Sequence, residues 1–180
     1  MRRPSPRVSR RNPEVSEGMA YAAVRIRGTA QVGKRVKDTL SQLHLCKINH
    51  MVLLPEDKTT TGMLEKVKDY ITWGEVSPEI IARVLLKRAE PIGGKAGITD
   101  EFISENNHSG YSSIFSFAKA VSGNEARLSD IDNMQPVIRL HPPKGGYRNI
   151  KRHFSMGGSL GYRGKAIEKL LLNMLPEDKE

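Results

Sequence analysis

Residues 20–28 read AYAAVRIRG, and their alternation determines the first element of the fold. Val24 and Ile26 alternate with Arg25 and Arg27, and a period of two is typical of a β-strand with one buried face. We therefore expect a strand whose valine and isoleucine face the core and whose arginines face solvent. Exposed charges on this strand favour a small sheet with helices on one face only.

The segments that follow alternate between helix and strand. Residues 34–45 carry Val36, Leu40 and Leu43 at helical spacing, which predicts an amphipathic helix with a basic polar face. Residues 48–54, INHMVLL, predict a second strand, and residues 59–71 predict a second helix.

Beyond residue 74 the pattern indicates helices until near the end of the chain. Helix starts are predicted at Ser77-Pro78-Glu79 and at Thr99-Asp100-Glu101, and a further helix is predicted to end at Gly123. Residues 137–140 predict a third strand, and residues 167–174 a final amphipathic helix. The order predicts an α+β fold.

We expect four regions along the chain. Residues 1–18 form a disordered basic arm, 19–75 the first part of a core domain, and 76–134 a helical insert. Residues 135–180 complete the core with the third strand, a basic glycine-rich loop and the last helix. The arm is either an RNA-seeking tail or a wrongly assigned start, in which case the chain begins at Met19 rather than Met1.

The net charge of +9 and the pI of about 9.8 favour a polyanionic partner. A basic soluble protein without such a partner is the alternative. The single cysteine, Cys46, excludes a disulfide framework or a thiolate metal site, and we expect it to be buried and inert. The sequence contains neither an apolar run of membrane-spanning length nor the apolar stretch of a signal peptide.

Two stretches resemble catalytic motifs without completing them. GTAQVGKR, residues 28–35, has the spacing of a phosphate-binding loop, but Arg35 stands where a hydroxyl would hold Mg²⁺. GGSLG, residues 157–161, resembles a nucleophile elbow, but no histidine follows Ser159. The histidines lack metal-ligand spacing. We therefore expect no catalytic residues, metal site, cofactor or small-molecule substrate.

Two basic segments carry the functional prediction. From residue 139 to 165 there are lysines, arginines and glycines but no acid, with Tyr147, Phe154 and Tyr162 interleaved. Aromatic side chains among cations can stack on unpaired bases, although core packing is the favoured interpretation for Phe154. Residues 34–50 form a second basic cluster. Because phosphate contacts fix position rather than sequence, affinity should fall steeply with salt.

Several segments together resemble the large-subunit ribosomal protein L-thirty family, called L-seven-e in eukaryotes. They are AVRIRG, TLSQLHLCKINHMVLL, GMLEKVKDYITWGEV, AGITDEFI and PVIRLHPPKGGYRNIKRHFSMGGSLGYRGKAIEKLLLNM. The resemblance covers about residues 20–175 and is to the long, archaeal-type form. It implies a ferredoxin-like β-α-β-α-β core with a three-stranded antiparallel sheet, plus the helical insert and a C-terminal helix.

The resemblance also implies a function. The chain would be a non-catalytic constituent of the cytoplasmic ribosome that binds large-subunit rRNA and neighbouring ribosomal proteins, with no membrane contact. On this view residues 139–164 form a mostly extended surface against rRNA. Two alternatives are a free RNA-binding or regulatory protein and a nucleotide-hydrolysing enzyme that uses residues 28–34.

The rRNA-binding candidates are the basic and aromatic residues of the two basic segments and Arg27 at the end of the first strand. They are Arg27, Lys34, Arg35, Lys37, His44, Lys47, His50, Lys144, Arg148, Lys151, Arg152, His153, Tyr162, Arg163 and Lys165.

Overall fold

The computed structural model describes residues 19–94, 97–107 and 110–176, so the expected arm lies outside the described residues. The strands are β1 Tyr21–Arg25, β2 His50–Leu54, β3 Ile71–Glu75, β4 Ile138–Arg139 and β5 Gly161–Tyr162. The helices are α1 Lys34–Gln42, α2 Lys58–Lys66, α3 Pro78–Arg88, α4 Asp100–Asn106, α5 Ile114–Ser122 and α6 Ala166–Met174.

The five strands form one sheet in the order β4-β2-β1-β3-β5. The central three are antiparallel and lie in the chain order β1-α1-β2-α2-β3, which confirms the α+β class and the ferredoxin-like core. The expectation of three strands is wrong in number, because β4 pairs antiparallel with β2 and β5 pairs parallel with β3. The strand predicted at residues 137–140 is the edge strand β4, whereas β3 was not predicted and begins at Ile71, the last residue of the predicted second helix.

Both faces of the sheet are covered, which corrects the expectation of helices on one face. Val24 of β1 belongs to the larger core cluster, to which α3, α5 and α6 contribute. Ala23 belongs to a second cluster on the opposite face, where Leu40 of α1 and Leu64 of α2 pack. Arg25 shares the face of Ala23 and is only 1% exposed, so it does not face solvent.

Capping interactions position the helices of the insert region. The Thr99 hydroxyl accepts a hydrogen bond from the Phe102 backbone N–H at the start of α4. The Ser113 hydroxyl accepts one from the Ser116 backbone N–H at the start of α5. These bonds satisfy N–H groups that lack an intrahelical partner. Helices α3 and α5 share the core of β1, so the helical region packs directly on the sheet.

Candidate nucleic-acid interface

The glycine-rich segment between β4 and β5, residues 140–160, joins the two opposite edges of the sheet, and we call it the crossing segment. It leaves β4 at one edge and enters β5 at the other, so residues 140–160 must cross the full width of the sheet. The Tyr147 hydroxyl donates to Asn49 Oδ1 at 2.6 Å, just before β2 begins. His153 Nε2 lies 3.1 Å from Asp69 Oδ1, just before β3 begins. The crossing therefore follows the end of the sheet at which β2 and β3 start.

The first basic segment reaches the same end of the sheet. β1 ends opposite the start of β3, and the Asn49 N–H donates to the Arg25 carbonyl at 2.9 Å where β2 starts. The connection through α1, residues 26–49, therefore leaves and re-enters the sheet at this end. We call the surface formed by residues 27–50 and 141–153 the basic end.

The sequence-predicted residues of the basic end differ in exposure. One group is exposed and consists of Lys34, Arg35, Lys37, His44, Lys47, Lys144, Arg148, Lys151 and Arg152. Arg27, His50 and His153 are half-buried. Arg27 donates to the Asp69 carbonyl at 3.2 Å, and its guanidinium lies over the Tyr70 ring. The hydrogen bond from Tyr147 to Asn49 links the two basic segments, which are about a hundred residues apart in sequence.

Three predicted residues lie on the β5 edge and are placed differently. Tyr162 donates to Glu75 Oε1 at 2.8 Å, and this hydrogen bond, with burial, raises the pKa of its phenol. Arg163 donates to the Thr72 hydroxyl and to the Ser159 carbonyl, and burial lowers its pKa. Lys165 is exposed and directly precedes α6. Arg163 is therefore engaged by the protein itself.

The second half of the crossing segment is compact, which corrects the expectation of a mostly extended surface. The Arg152 carbonyl accepts from the backbone N–H groups of Ser159 and Leu160, at 3.0 and 3.1 Å. The Ser159 hydroxyl donates to the Arg148 carbonyl at 2.7 Å. Residues 154–156 form one 3-10 turn that ends at Gly157 in the left-handed conformation. We call residues 148–160 the platform loop.

The platform loop exposes apolar side chains. Phe154 is 39% exposed, so the expectation that it packs in the core is wrong. The Arg163 guanidinium lies over its ring, 4.7 Å from the centroid. Ile150 and Met156 are also exposed. Tyr147, by contrast, packs against the larger core cluster, and burial raises its pKa to about 12.

Arg25 places a buried positive charge next to the basic end. Arg25 donates to the carbonyls of Leu45, Cys46 and Arg27 at 2.6–2.9 Å, and its Nη2 is buried without a hydrogen-bond partner. Burial lowers its pKa. Burial, together with Arg139 and Lys47, lowers the pKa of His50. Alternation along β1 assigned Arg25 to solvent, and local sequence offers no signal for its carbonyl partners.

The described residues contain little that suggests catalysis. Ser159 is 4% exposed, and its hydroxyl is bonded to a carbonyl rather than to a base. Within residues 19–94, 97–107 and 110–176, histidines, cysteines and carboxylates do not gather into a group that could hold a metal ion. Cys46 is exposed, contrary to expectation. Among these same residues, no helix has the length and apolar character needed to span a membrane.

Comparison with known proteins gives consistent similarities. The family model described as "Ribosomal protein L30p/L7e" matches residues 21–71. The "Large ribosomal subunit protein uL30" of Methanopyrus kandleri is 46% identical over 152 residues, which cover 83% of this chain and 100% of that protein. The proteins of the same name from Methanobrevibacter smithii and Archaeoglobus fulgidus are 44% and 43% identical, each covering 86% of this chain and 99% of the relative.

Proposed function

The chain belongs to the ribosomal protein L30p/L7e family, and from this premise we propose that it is a structural, non-catalytic constituent of the large ribosomal subunit. In this role it is bound to the ribosome in the cytoplasm and contacts large-subunit rRNA and neighbouring ribosomal proteins. Its contribution to translation is to hold folded rRNA in place, without making or breaking a covalent bond.

The convergence of two cationic segments on the basic end carries the proposal for rRNA binding. Their lysines and arginines are mostly exposed, and the chain contains no acid from residue 139 to 165. Phosphate groups on folded RNA are neutralised by such surfaces, and released counterions provide much of the binding free energy. Contacts of this kind set the position of the protein on rRNA rather than reading a sequence.

The test removes three exposed cations of the platform loop. We expect Arg148→Ala, Lys151→Ala and Arg152→Ala together to weaken binding to purified large-subunit rRNA. The triple change should also lower the slope of log affinity against log salt by about 2 to 3, because each lost phosphate contact contributes about 0.7–0.9. Filter binding at several salt concentrations measures both quantities.

The matched control removes the same charge elsewhere. Arg83, Lys119 and Lys169 are exposed on α3, α5 and α6, outside the basic end. Each triple change lowers the net charge from +9 to +6. If the control triple weakens rRNA binding as much as the platform-loop triple, binding follows net charge and the assignment of the interface to the basic end is wrong. If the unsubstituted chain neither binds rRNA nor cosediments with large subunits, the proposed function itself is refuted.

A further inference from the structure

We propose that Phe154 is a base-stacking residue, whose ring receives one unpaired base of the bound RNA. The proposal rests on the proposed function, because it assigns one rRNA contact to the platform loop, whose first residues belong to the basic end. It concerns a residue for which the sequence favoured core packing, so it depends on the structure.

The surroundings of Phe154 combine apolar exposure with positive charge. Phe154, Met156 and Ile150 are 39%, 68% and 43% exposed, within seven residues of one another. Lys151 and Arg152 stand between them in sequence and are exposed. A single exposed apolar side chain is ordinary, but a group of them in one short loop marks a binding surface.

The Arg163 guanidinium packs against the ring of Phe154 and is itself held by hydrogen bonds. Arg163 lies 4.7 Å from the ring centroid, and it donates to the Thr72 hydroxyl at 2.9 Å and to the Ser159 carbonyl at 2.8 Å. Thr72 belongs to β3, so the support is tied to the sheet. The Phe154 backbone N–H donates to the Leu160 carbonyl at 2.7 Å, which fixes the ring's point of attachment.

This support reduces the cost of binding. An aromatic side chain loses little conformational freedom on binding when its position is already determined by the protein. The guanidinium covers one part of the ring, and the exposed part remains accessible to a partner. The result is a flat apolar surface that is held in place before the RNA arrives.

The charge pattern favours a nucleotide over an apolar protein surface. A nucleotide offers a π-face for the ring and a phosphate for Lys151 or Arg152. An apolar protein surface would desolvate these cations without neutralising them. The segment from residue 139 to 165 contains no carboxylate that would repel a phosphate.

The test uses the full chain with purified large-subunit rRNA as the probe. We expect Phe154→Leu to weaken binding by up to about 5- to 150-fold, the range that corresponds to the loss of one base–aromatic stack. The salt slope should not change, because no cation is removed. Phe154→Trp should retain the affinity. Phe115→Leu is the matched control, since Phe115 is 54% exposed on α5 and has no part in the platform loop.

Fluorescence gives a second readout. Trp73 is the chain's single tryptophan and is 3% exposed, and a parallel titration of the unsubstituted chain gives its contribution to the emission. We expect saturable quenching of the added indole emission when rRNA is titrated into Phe154→Trp, and no such change with Phe115→Trp. Should Phe154→Leu prove unstable in thermal unfolding, this titration carries the test by itself.

The outcomes separate this proposal from the proposed function. If Phe154→Leu binds rRNA like the unsubstituted chain, or if Phe154→Trp binds as weakly as Phe154→Leu, stacking is refuted while rRNA binding stands. If Phe154→Leu binds rRNA normally but is excluded from assembled large subunits, the ring contacts a protein and the proposal is also wrong. If the unsubstituted chain does not bind rRNA, the proposed function fails first.

Discussion

The glycine at position 158 provides the sharpest test of how the platform loop is built. A Cβ atom added to Gly158 would lie 2.6 Å from the Arg152 Cβ, and it would overlap the Arg152 carbonyl carbon and oxygen. The obstacle is backbone, which cannot rotate away as a flexible side chain could. We therefore expect Gly158→Ala to push the backbone at Arg152 away from the backbone at residue 158.

The expected cost follows from the bonds that must be given up. The Arg152 carbonyl accepts from the N–H groups of Ser159 and Leu160, and a displaced carbonyl loses both. At about 0.5–1.5 kcal/mol for each hydrogen bond, the loss is about 1–3 kcal/mol. The cost cannot exceed the free energy of opening the loop, because beyond that value the loop opens locally and the sheet remains folded.

Gly157→Ala is the matched control in the neighbouring position. Gly157 has a φ of +78°, but a Cβ atom there would meet nothing within 4 Å. Its cost is the left-handed conformation alone, about 1–2 kcal/mol, with the loop's hydrogen bonds intact. Similar losses of stability should therefore accompany different local structures in the two variants.

Amide hydrogen exchange distinguishes these structures. We expect the amides of Ser159 and Leu160 to lose protection in Gly158→Ala and to keep it in Gly157→Ala. Binding to large-subunit rRNA should weaken only in the first variant, because only there is the support of Phe154 lost. Full protection of both amides in Gly158→Ala, together with unchanged rRNA affinity, would refute the reasoning.

Three further predictions concern residues that connect the basic end to the sheet. Arg25→Met should lower the free energy of unfolding in urea by about 1–3 kcal/mol, since buried carbonyls such as that of Leu45 lose their donor; a rise would mean that the desolvated charge costs more than its bonds contribute. The pKa of His50 lies below its ordinary 6.5, so the unfolded chain binds a proton there more readily than the folded chain does. Stability should therefore fall as pH drops from 6.5 toward the folded-state pKa, and His50→Gln should remove that part of the pH dependence of thermal unfolding. Tyr147→Phe should lower the free energy of unfolding by about 0.5–1.5 kcal/mol, because the hydrogen bond to Asn49 is lost. The pKa of Tyr147 is raised from 10 to about 12, so its contribution to stability should be lost as pH rises from 10 through 12, and ultraviolet absorbance of the phenolate measures this ionisation.

The elements that sequence predicted well are those whose pattern is local. Ile167, Leu170, Leu171 and Met174 are all buried in α6, as their helical spacing indicated. The starts at Ser77 and Thr99 are the N-caps of α3 and α4. In these cases residue type and spacing contain the information, because a helix closes its hydrogen bonds within its own segment.

The elements that sequence missed depend on distant partners. β3, with the sequence ITWGE, follows Leu64 and Val67 at a spacing that also fits a helix, and a short apolar run does not distinguish the two. β5 contains only two residues and exists because it pairs with β3. Arg25 is buried because carbonyls in the loop that follows α1 accept its hydrogen bonds.

The candidate site shows the same division between local and distant information. Sequence proposed the cations of both basic segments as candidates, and the acid-free run from residue 139 to 165 is visible directly. It did not identify Phe154 as exposed, because the ring's environment depends on Arg163, and Arg163 is held by Thr72 across 91 residues. Convergence of the segments was likewise invisible, since it requires the order of strands in the sheet.

The path of the crossing segment explains how the proposed binding surface can be ordered before RNA binds. A connection that spans five strands would be costly to order if it bound RNA as a flexible chain, because each fixed residue loses about 1–2 kcal/mol of conformational entropy. Here that entropy is already lost when the protein folds, because the hydrogen bond from Tyr147 to Asn49 and the close backbone approach at Gly158 hold the segment. Under the proposed function, the cations would neutralise phosphates from a backbone that is already in position. A loop of equal charge but without these ties should bind rRNA more weakly, since RNA would have to order it.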